Sequence, residues 1–255
     1  MDKIPIISFR FHAKYGHFRK PYSNVSSLSY PFPPRTALAG LLGAVLGVPK
    51  AKVSTKFDDK NLKAAVEIEQ PIKTITHVTN LRQDSAGRID YSIKRSKKTK
   101  KQAQLKNIAD WNKAAQIPQE ILRYPSYLIY INLKNDMNEL VSRIKERRFV
   151  YTPCMGLSGF LADLDYVSSD FCEPLDPGEY DVSTITDMAY CSLSMDWLNE
   201  AVEDKHILEV KAPYQGTPER RFTYRSYVLN MFSKPLPLRM KDNVYNYQDK
   251  IISFL

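Results

Sequence analysis

The sequence predicts an α+β protein, with a ferredoxin-like amino-terminal domain over residues 1–152 and a smaller antiparallel β-rich domain over residues 153–255. Two observations predict the first domain. Its hydrophobic patterns follow one another in the order β-α-β-β-α-β, and a strongly basic block with little apolar content interrupts them at about residues 81–116. Short β segments separated by proline and glycine predict the second domain.

The first predicted element is a half-buried strand over residues 4–13. Ile7, Phe9 and Phe11 alternate there with Arg10, and a period of two residues places the two sets on opposite faces of a strand. We therefore expect one buried face and one basic outer face.

An apolar helix is predicted next, over residues 37–46. Thr36 is the expected N-cap, and Gly47 is the expected stop because glycine adopts the left-handed conformation that ends many helices. The segment is apolar on every side, which predicts a helix buried all round. Gly40 and Gly43 each cost about 1 kcal/mol relative to alanine inside a helix, so we expect both to allow another part of the chain to approach closely.

Three further segments complete the predicted first domain. Residues 64–78 are rich in β-branched side chains, and residues 127–133 are apolar throughout, so both predict strands. Asp136 and Glu139 have the spacing of a capping box at the start of a second helix. Residues 149–151 are the expected fourth strand.

The basic block at about residues 81–116 cannot build a hydrophobic core, so we expect it to project as a loop or hairpin. A solvated run of charge is one explanation of its composition. Tyr91 and Ile93 interleave with the cations, however, and this pattern favours contact with nucleic acid. The cations expected to contact RNA are Arg82, Lys94, Arg95, Lys97, Lys98, Lys100 and Lys101.

Gly156 and Gly159 open the second predicted domain, in the sequence TPCMGLSG. Gly156 can take a positive φ, and the pair would let backbone amides face a phosphate; a simple tight turn is the alternative. Further on, residues 220–228 alternate basic and apolar side chains. This pattern predicts either a strand face that covers RNA or an edge strand protected by charge.

The overall composition limits the possible functions. The 255 residues include 37 Lys and Arg against 28 Asp and Glu, a formal net charge of +9, which favours a polyanionic partner and nucleic acid before a membrane. Cys154, Cys172 and Cys191 have no close spacing, so we expect reduced thiols with neither disulfides nor a zinc site. With no signal-peptide pattern and no apolar run long enough to span a bilayer, the sequence predicts a cytoplasmic protein.

Two segments resemble a known family. The first, YGHFRKPYSNVSSLSYPFPPRTALAGLLGAVLG at residues 15–47, contains an F-R-x-P-like turn, a Tyr-x-x-Pro-Pro-x-Thr bend and a glycine-containing apolar helix. The second, YTPCMGLSGFLADL at residues 151–164, is similar to the family's later glycine motif. In this order they resemble the CRISPR-associated Cas-five family, RAMP-type subunits of the type I surveillance complex Cascade, and in particular the type I-B branch.

The resemblance implies a subunit that binds and caps the 5′ handle of crRNA, with the basic block as a thumb that packs along the guide. It also implies contacts with the first backbone (Cas-seven) subunit, with the large (Cas-eight) subunit and with target DNA near the PAM. At the mouth of the helix, free N–H groups and the helix dipole would favour an anion beside Arg35. By resemblance and residue type, the further expected RNA contacts are Tyr15, His17, Phe18, Arg19, Lys20, Tyr22, Arg35, Met155 and Gly156.

We expect no catalytic residues, no metal and no cofactor, because the resemblance is to non-cleaving branches of the family. Metal-free RNA cleavage needs a base for the 2′-hydroxyl and an acid for the leaving oxygen, and His12, His17, His77 and His206 are available as residue types. One branch, in type I-C systems, processes its own guide with a Tyr–Lys–His set. A metal-independent endoribonuclease acting on pre-crRNA is therefore the alternative, and a stand-alone RRM-like RNA-binding protein is a third hypothesis.

Overall fold

The computed structural model describes residues 3–22, 26–82, 114–193, 206–219 and 221–255, which form a mixed α+β protein dominated by strands. The helices are α1 (Arg35–Leu46), α2 (Lys50–Lys56) and α3 (Met137–Lys145). The strands are β1 (Ile4–Ala13), β2 (Tyr15–Gly16), β3 (Phe18–Arg19), β4 (Ser29–Tyr30), β5 (Leu62–Ile68), β6 (Thr74–Arg82), β7 (Ala114–Arg123), β8 (Ser126–Leu133), β9 (Ala162–Pro174), β10 (Gly178–Val182), β11 (Thr186–Asp187), β12 (Cys191–Leu193), β13 (Ile207–Gly216), β14 (Phe222–Asn230), β15 (Leu236–Met240), β16 (Val244–Tyr247) and β17 (Lys250–Ser253).

A nine-stranded sheet forms the centre of the molecule, with the strand order β12-β15-β10-β17-β16-β9-β1-β8-β5. β1 pairs antiparallel with β8 on one side and with β9 on the other, and β8 pairs antiparallel with β5. The alternation predicted for β1 is confirmed from Phe9 to Phe11, where both rings are buried and Arg10 is exposed and pairs with Glu69 at 2.7 Å. Earlier in the strand the expected outer face is covered, since Ser8 is buried and its hydroxyl bonds to that of Ser168.

The apolar face of β1 packs against two of the helices. Leu38 and Leu42 of α1 and Leu140 and Ile144 of α3 join the side chains of β1 in the largest hydrophobic cluster. This cluster is the main core, and it fixes the position of the chain segments that enter and leave α1.

Residues 149–151 do not form the expected fourth strand. The N–H groups of Val150 and Tyr151 donate instead to the carbonyl oxygens of Val45 and Ala44, at 3.3 and 2.9 Å. Carbonyls in the last turn of a helix have no partner within the helix, and this segment satisfies two of them. The strand that follows α3 in the sheet is β9, which pairs with β1 from Ala162 to Cys172.

The start of α1 also differs from the prediction, while its end agrees. The helix begins at Arg35, and Pro34 rather than Thr36 occupies the N-cap position, since the fixed φ of proline suits the residue that leads into a helix. Gly47 ends the helix in the left-handed conformation with φ of 73°, and its N–H donates to the carbonyl oxygen of Gly43. The predicted stop is therefore confirmed.

The two glycines inside α1 have different surroundings. A Cβ on Gly43 would lie 2.9 Å from Cγ2 of Val53 in α2, so Gly43 does allow a close approach. A Cβ on Gly40 would meet nothing within 4 Å, and Gly40 is exposed. The expectation of a helix buried all round is therefore wrong on the Gly40 side, where α1 faces an open groove.

The predicted capping box of α3 is also wrong. Asp136 precedes the helix with φ of 63° and makes no side-chain cap hydrogen bond, because a left-handed residue does not have the extended backbone of an N-cap. Its carboxylate pairs with Lys56 of α2 at 2.6 Å, and Glu139 pairs with Arg143 one turn further along α3 at 2.8 Å.

β6 and β7 form an antiparallel pair that brackets the predicted basic insertion. Their register runs from Thr74 opposite Leu122 to Arg82 opposite Ala114. β6 begins before the predicted start of the insertion and β7 ends after its predicted end, so the paired strands extend beyond both limits. Ile75 is 39% exposed, and it lies on this arm away from the core.

The chain beyond residue 152 continues the central sheet. β16 pairs with β9, and β10, β12, β15 and β17 extend the sheet from there. A separate three-stranded sheet has the order β11-β14-β13, and its residues Val210, Tyr227 and Leu229 join the main core. The division into two domains at residue 152 stays a prediction.

One alternative for residues 220–228 was a basic strand face that covers RNA. β14 does not present such an open face. Arg225 pairs with the buried carboxylate of Asp187 at 2.9 Å, and its guanidinium lies 3.6 Å from the ring centre of Tyr214. The protein itself therefore neutralises this cation, whereas Arg221 is exposed.

The three cysteines are free thiols, as predicted. Burial raises the pKa of Cys172 and of Cys191 to about 11, so both stay protonated at neutral pH. Within the described ranges no single helix is long and apolar enough to cross a membrane; α1 and α2 meet that criterion only together, as a pair bent by 117°.

Candidate nucleic-acid interface

A buried histidine, His17, anchors the loop between β1 and α1 on its interior side. His17 is 1% exposed; its Nδ1 donates to the carbonyl oxygen of Glu120 at 2.7 Å, and its Nε2 accepts from the hydroxyl of Ser27 at 3.0 Å. Burial lowers the pKa of His17 from its ordinary value, so the ring is neutral at pH 7. Since both nitrogens have partners within the chain, His17 joins the loop to β7 and does not face solvent.

The glycine turn holds the same loop from a second side. The N–H of His17 donates to the carbonyl oxygen of Met155 at 3.0 Å, and the φ of 87° at Gly156 confirms the predicted positive φ. A Cβ on Gly156 would lie 2.0 Å from the carbonyl oxygen of His17, so only glycine fits there. The side chain of Met155 is fully buried. Both predicted contacts in this turn therefore support the loop.

Arg35 lies in the interior and not at an open helix end. It is 2% exposed, and its Nη2 donates to the carbonyl oxygens of Asp58 and Leu62 at 2.6 and 2.8 Å. Its guanidinium lies 4.8 Å from the ring centre of Tyr214. Burial lowers the pKa of Arg35, but an arginine side chain stays protonated at neutral pH. Arg35 thus links α1 to β13 and to the chain before β5.

Phe18 and Tyr15 lie between the core and the surface. Phe18 is buried in the main core, so its ring is not available for stacking on a base. Tyr15 is half-buried beside Phe160, with ring centres 6.2 Å apart. The Nζ atom of Lys14 lies 5.6 Å from the Tyr15 ring, and this pair forms part of the surface.

Three of the predicted contacts are presented outward by the short β3–β4 ladder. Arg19 is exposed, and Tyr22 is 61% exposed. The N–H of Lys20 donates to the carbonyl oxygen of Leu28 at 2.8 Å, and its Nζ lies 5.7 Å from the ring centre of Tyr30. Cations and rings are therefore adjacent on this loop.

A second group of cations lies where β7 ends. The N–H of Arg123 donates to the carbonyl oxygen of Lys73 at 2.8 Å, and the N–H of Tyr124 donates to that of Lys14 at 2.9 Å. The three basic side chains are exposed and Tyr124 is 51% exposed. The Arg123 guanidinium lies 5.4 Å from the Tyr124 ring centre, within cation–π range.

Both groups lie beside the same strand. Tyr15 is opposite Arg123, and Ser27 bridges to Gln119, so the loop follows one edge of β7 for about 13 Å at the usual rise per residue. We name the basic and aromatic side chains along this strand, all exposed except the partly buried Lys20, the β7 edge surface. Its members are Lys14, Arg19, Lys20, Tyr22, Lys73, Arg123 and Tyr124.

Four members of the β7 edge surface were not expected from the sequence: Lys14, Lys73, Arg123 and Tyr124. They come from separate segments, and only the pairing of β2 and β6 with β7 brings them together. The local signal was the run Arg123-Tyr124-Pro125, a cation next to a ring at a turn.

The expected contacts of the basic insertion are Arg82, at the end of β6, and residues that follow it in the sequence. Arg82 ends β6 opposite Ala114, about 27 Å along the strand from Thr74. Outside the described residues lie the side chain of Arg82 and the expected contacts Lys94, Arg95, Lys97, Lys98, Lys100 and Lys101.

The other histidines lie apart from one another in the described part of the chain. His12 pairs with Asp165 at 2.8 Å, the ring of His206 lies 4.1 Å from that of Phe232, and His77 is exposed on β6. No group of three or more His, Cys, Asp or Glu side chains in the described ranges is arranged to hold a metal ion.

Comparison with known proteins identifies the family. Residues 6–130, from β1 into β8, match the family model described as CRISPR-associated protein (Cas_Cas5). The chain belongs to this CRISPR-associated family. No curated protein matches its sequence significantly.

Three solved structures are similar across almost the whole chain. A chain of a CRISPR RNA-guided surveillance complex has a TM-score of 0.50 and 12% identity, and the match covers 92% of this chain and 91% of that one. A CRISPR protein from Archaeoglobus fulgidus has a TM-score of 0.54, 10% identity and coverage of 97% and 98%. A chain of the Type III-B Cmr-beta complex bound to cognate target RNA and AMPPnP has a TM-score of 0.52, 8% identity and coverage of 96% and 99%. At identities this low the structural similarity shows a shared fold alone. Together with the family, the shared fold supports the role of a CRISPR effector subunit.

Proposed function

We propose that this chain is the effector subunit that binds and caps the 5′ handle of crRNA without cleaving it. The observation that carries the proposal is the β7 edge surface, where cations lie beside exposed rings and where His17 and Gly156 fix the adjoining loop from the interior. Single-stranded RNA is held by this combination, because cations neutralise phosphates and rings stack on unpaired bases.

The roles within the surface follow from residue type. Arg19, Lys73 and Arg123 neutralise phosphates of the handle, while the exposed rings of Tyr22 and Tyr124 stack on its bases. Because the protein already holds the loop through backbone and His17 contacts, little conformational entropy is lost when RNA binds. The target sequence is then recognised by base pairing to the guide and not by this chain.

The basic insertion contributes a second, sequence-independent contact. The β6–β7 arm brackets the insertion, whose sequence contains the cations of residues 94–101. We propose that this insertion follows the guide backbone as a thumb. Such binding releases counterions and weakens steeply as the salt concentration rises.

The wider assignment is also part of the proposal. The strands β1, β5, β8 and β9, with α1 after the first and α3 after the third, support a ferredoxin-like domain of the RAMP type. We propose that this subunit acts in the cytoplasm in a type I-B complex. There it anchors the first Cas-seven backbone subunit and the large Cas-eight subunit, close to the PAM of the target DNA.

The proposal is tested by measuring the binding of labelled crRNA in EDTA over a salt series. The ligands are crRNA with its natural 5′ handle and the same RNA with a scrambled handle, and the readouts are fluorescence anisotropy and a denaturing gel. We expect handle-dependent binding without cleavage. We expect Tyr22→Ala to weaken it about tenfold, and Arg19→Ala and Arg123→Ala each to lower the salt slope by about 1.

Arg239→Ala is the matched control, because Arg239 is exposed on β15 and four strands separate β15 from β1 in the sheet. It removes the same charge and should leave handle binding unchanged. Equal affinity for both RNAs would contradict handle recognition. Cleavage at the handle boundary in EDTA would instead establish the endoribonuclease, with the exposed His77 as the first residue to replace.

A further inference from the structure

An open groove of about 1040 Å³ runs beside α1, between α2 and the end of the β13–β14 hairpin. It contains no member of the β7 edge surface. The lining residues that matter here are Ala39, Gly40, Val53, Phe57, Tyr151 and Phe222.

The groove leaves apolar groups in contact with solvent. Tyr151 is 60% exposed and Phe222 is 45% exposed at its borders. Of the other apolar residues that line it, Val53 is partly exposed, whereas Ala39 and Phe57 are buried. Exposed apolar surface of this kind, bordered by polar residues, is typical of protein–protein contacts. The twelve-residue helix α1 is about 18 Å long, enough to lie against three turns of a second helix.

Gly40 is the second observation that indicates an occupant. Glycine inside a helix costs about 1 kcal/mol relative to alanine, and nothing in the described chain approaches Gly40 closely enough to need it. Gly43 differs, because the side chain of Val53 fills the space beside it. A second helix packed on the exposed Gly40 would approach α1 at the short end of the usual 8–10 Å axis separation.

The border of the groove formed by α2 carries exposed basic charge, which is complementary to an acidic occupant. Arg35 and Lys50 are the charged residues in its lining, and both are basic. Lys52 is exposed on the same short helix as Lys50, whereas Lys56 of that helix already pairs with Asp136. Among the acidic groups of this region, Glu219 is hydrogen-bonded to Thr217, and Asp59 interacts electrostatically with Arg35 and Tyr214. The open basic charge is therefore that of Lys50 and Lys52.

We propose that this groove binds an α-helix of a partner protein, with apolar side chains on one face and acidic residues beside them. Nucleic acid is a poorer fit, because the walls are apolar and the donors of Arg35 are used by carbonyl oxygens of the chain. The acidic residues of the partner lie next to Lys50 and Lys52 of α2.

The test is a displayed library of randomised sixteen-residue helices, selected on the wild-type protein and counter-selected on Gly40→Leu. The leucine side chain enters open space, so it fills the groove while the fold is kept, which circular dichroism and the melting temperature check. We expect enriched sequences to have apolar residues at helical spacing with Asp or Glu beside them. For the best peptide, we expect Gly40→Leu and Lys50→Glu each to raise the Kd at least about tenfold.

Two matched measurements make the result decisive. Gly40→Ala adds one methyl group and should bind the selected peptide nearly as the wild type does, and Gly40→Leu should bind crRNA unchanged. A failure of peptide binding can therefore be distinguished from a failure of handle recognition, because the two are measured with different ligands. The proposal is overturned if no Gly40-dependent sequence is enriched, if the enriched sequences are basic, or if filling the groove weakens RNA binding instead.

Discussion

The ring of His17 connects three segments at once: its own loop, Ser27 at the far end of that loop, and Glu120 of β7. Its backbone N–H adds a fourth connection, to Met155 in the glycine turn. A neutral imidazole can donate from one nitrogen and accept at the other, and here it does both. The residue therefore positions the β7 edge surface without being exposed on it.

His17 makes folding stability dependent on pH. Burial lowers its folded pKa below the ordinary value of 6.5, so below that pH the unfolded chain binds more protons. Its contribution is fully present above about pH 6.5 and is lost as the pH falls towards the folded pKa. In urea unfolding at pH 7.5, 6.5 and 5.5, we expect the stability advantage of the wild type over His17→Asn to shrink with falling pH. The other histidines are common to both proteins, and an advantage that does not change with pH would contradict the assignment.

The glycine turn gives a second prediction for single residues. Gly156→Ala combines a positive φ with a Cβ placed 2.0 Å from the carbonyl oxygen of His17, so the backbone must move. We expect a loss of about 2–4 kcal/mol in the free energy of unfolding. Gly159→Ala is the control in the same turn, because its Cβ would meet nothing within 4 Å. Similar losses for the two variants would show that the contact with His17 is not what requires glycine.

At the scale of elements, α1 is a core helix on one side and a groove wall on the other. We expect Gly40→Ala to raise the free energy of unfolding by about 0.5–1 kcal/mol, because it gains helix propensity in open space. Gly43→Ala presses on Val53, so we expect a net loss of about 1 kcal/mol. Thermal and urea unfolding measure both, and equal effects at the two positions would contradict the described packing.

The β6–β7 arm allows the basic insertion to be removed cleanly. Arg82 and Ala114 are paired, so an Asn-Gly turn in place of residues 83–113 closes the arm as a two-residue hairpin. We expect the far-UV spectrum and the melting temperature to change little, while crRNA affinity at low salt falls and its salt dependence becomes less steep. An unchanged salt slope would show that the insertion does not follow the guide.

At the scale of the whole molecule, the central sheet crosses the predicted boundary at residue 152. β9 pairs with β1 from Ala162 to Cys172, and the N–H of Leu255 donates to the carbonyl oxygen of Ala64 in β5 at 2.8 Å. The last residues of the described chain therefore cover an outer strand of the sheet, which would otherwise present unpaired backbone groups.

This connectivity predicts how fragments behave. Residues 1–152 lack β9, so β1 would have an open edge and its apolar face would be partly uncovered. We expect this fragment to aggregate, a fragment of residues 1–174 to be more soluble, and the full chain to unfold in one cooperative transition. Soluble yield and urea unfolding are the measurements. Cooperative unfolding of residues 1–152 alone would support the predicted independent domain.

The sequence by itself determined what depends on local rules. The alternation of β1, the buried strand β8, the stop at Gly47 and the positive φ of Gly156 all follow from the periodicity or conformational range of a few neighbouring residues. The two segments that resemble the family also lie each within a short stretch, and the family assignment is confirmed.

Only the tertiary structure decided which side chains face solvent. His17, Phe18 and Arg35 resemble RNA contacts by residue type, but the chain uses their polar or apolar groups internally. Lys73 and Arg123 come together through strand pairing between distant segments, and Gly40 is exposed because no other element covers that side of α1. Burial depends on what the rest of the chain places beside a residue, and neither residue type nor spacing contains that information.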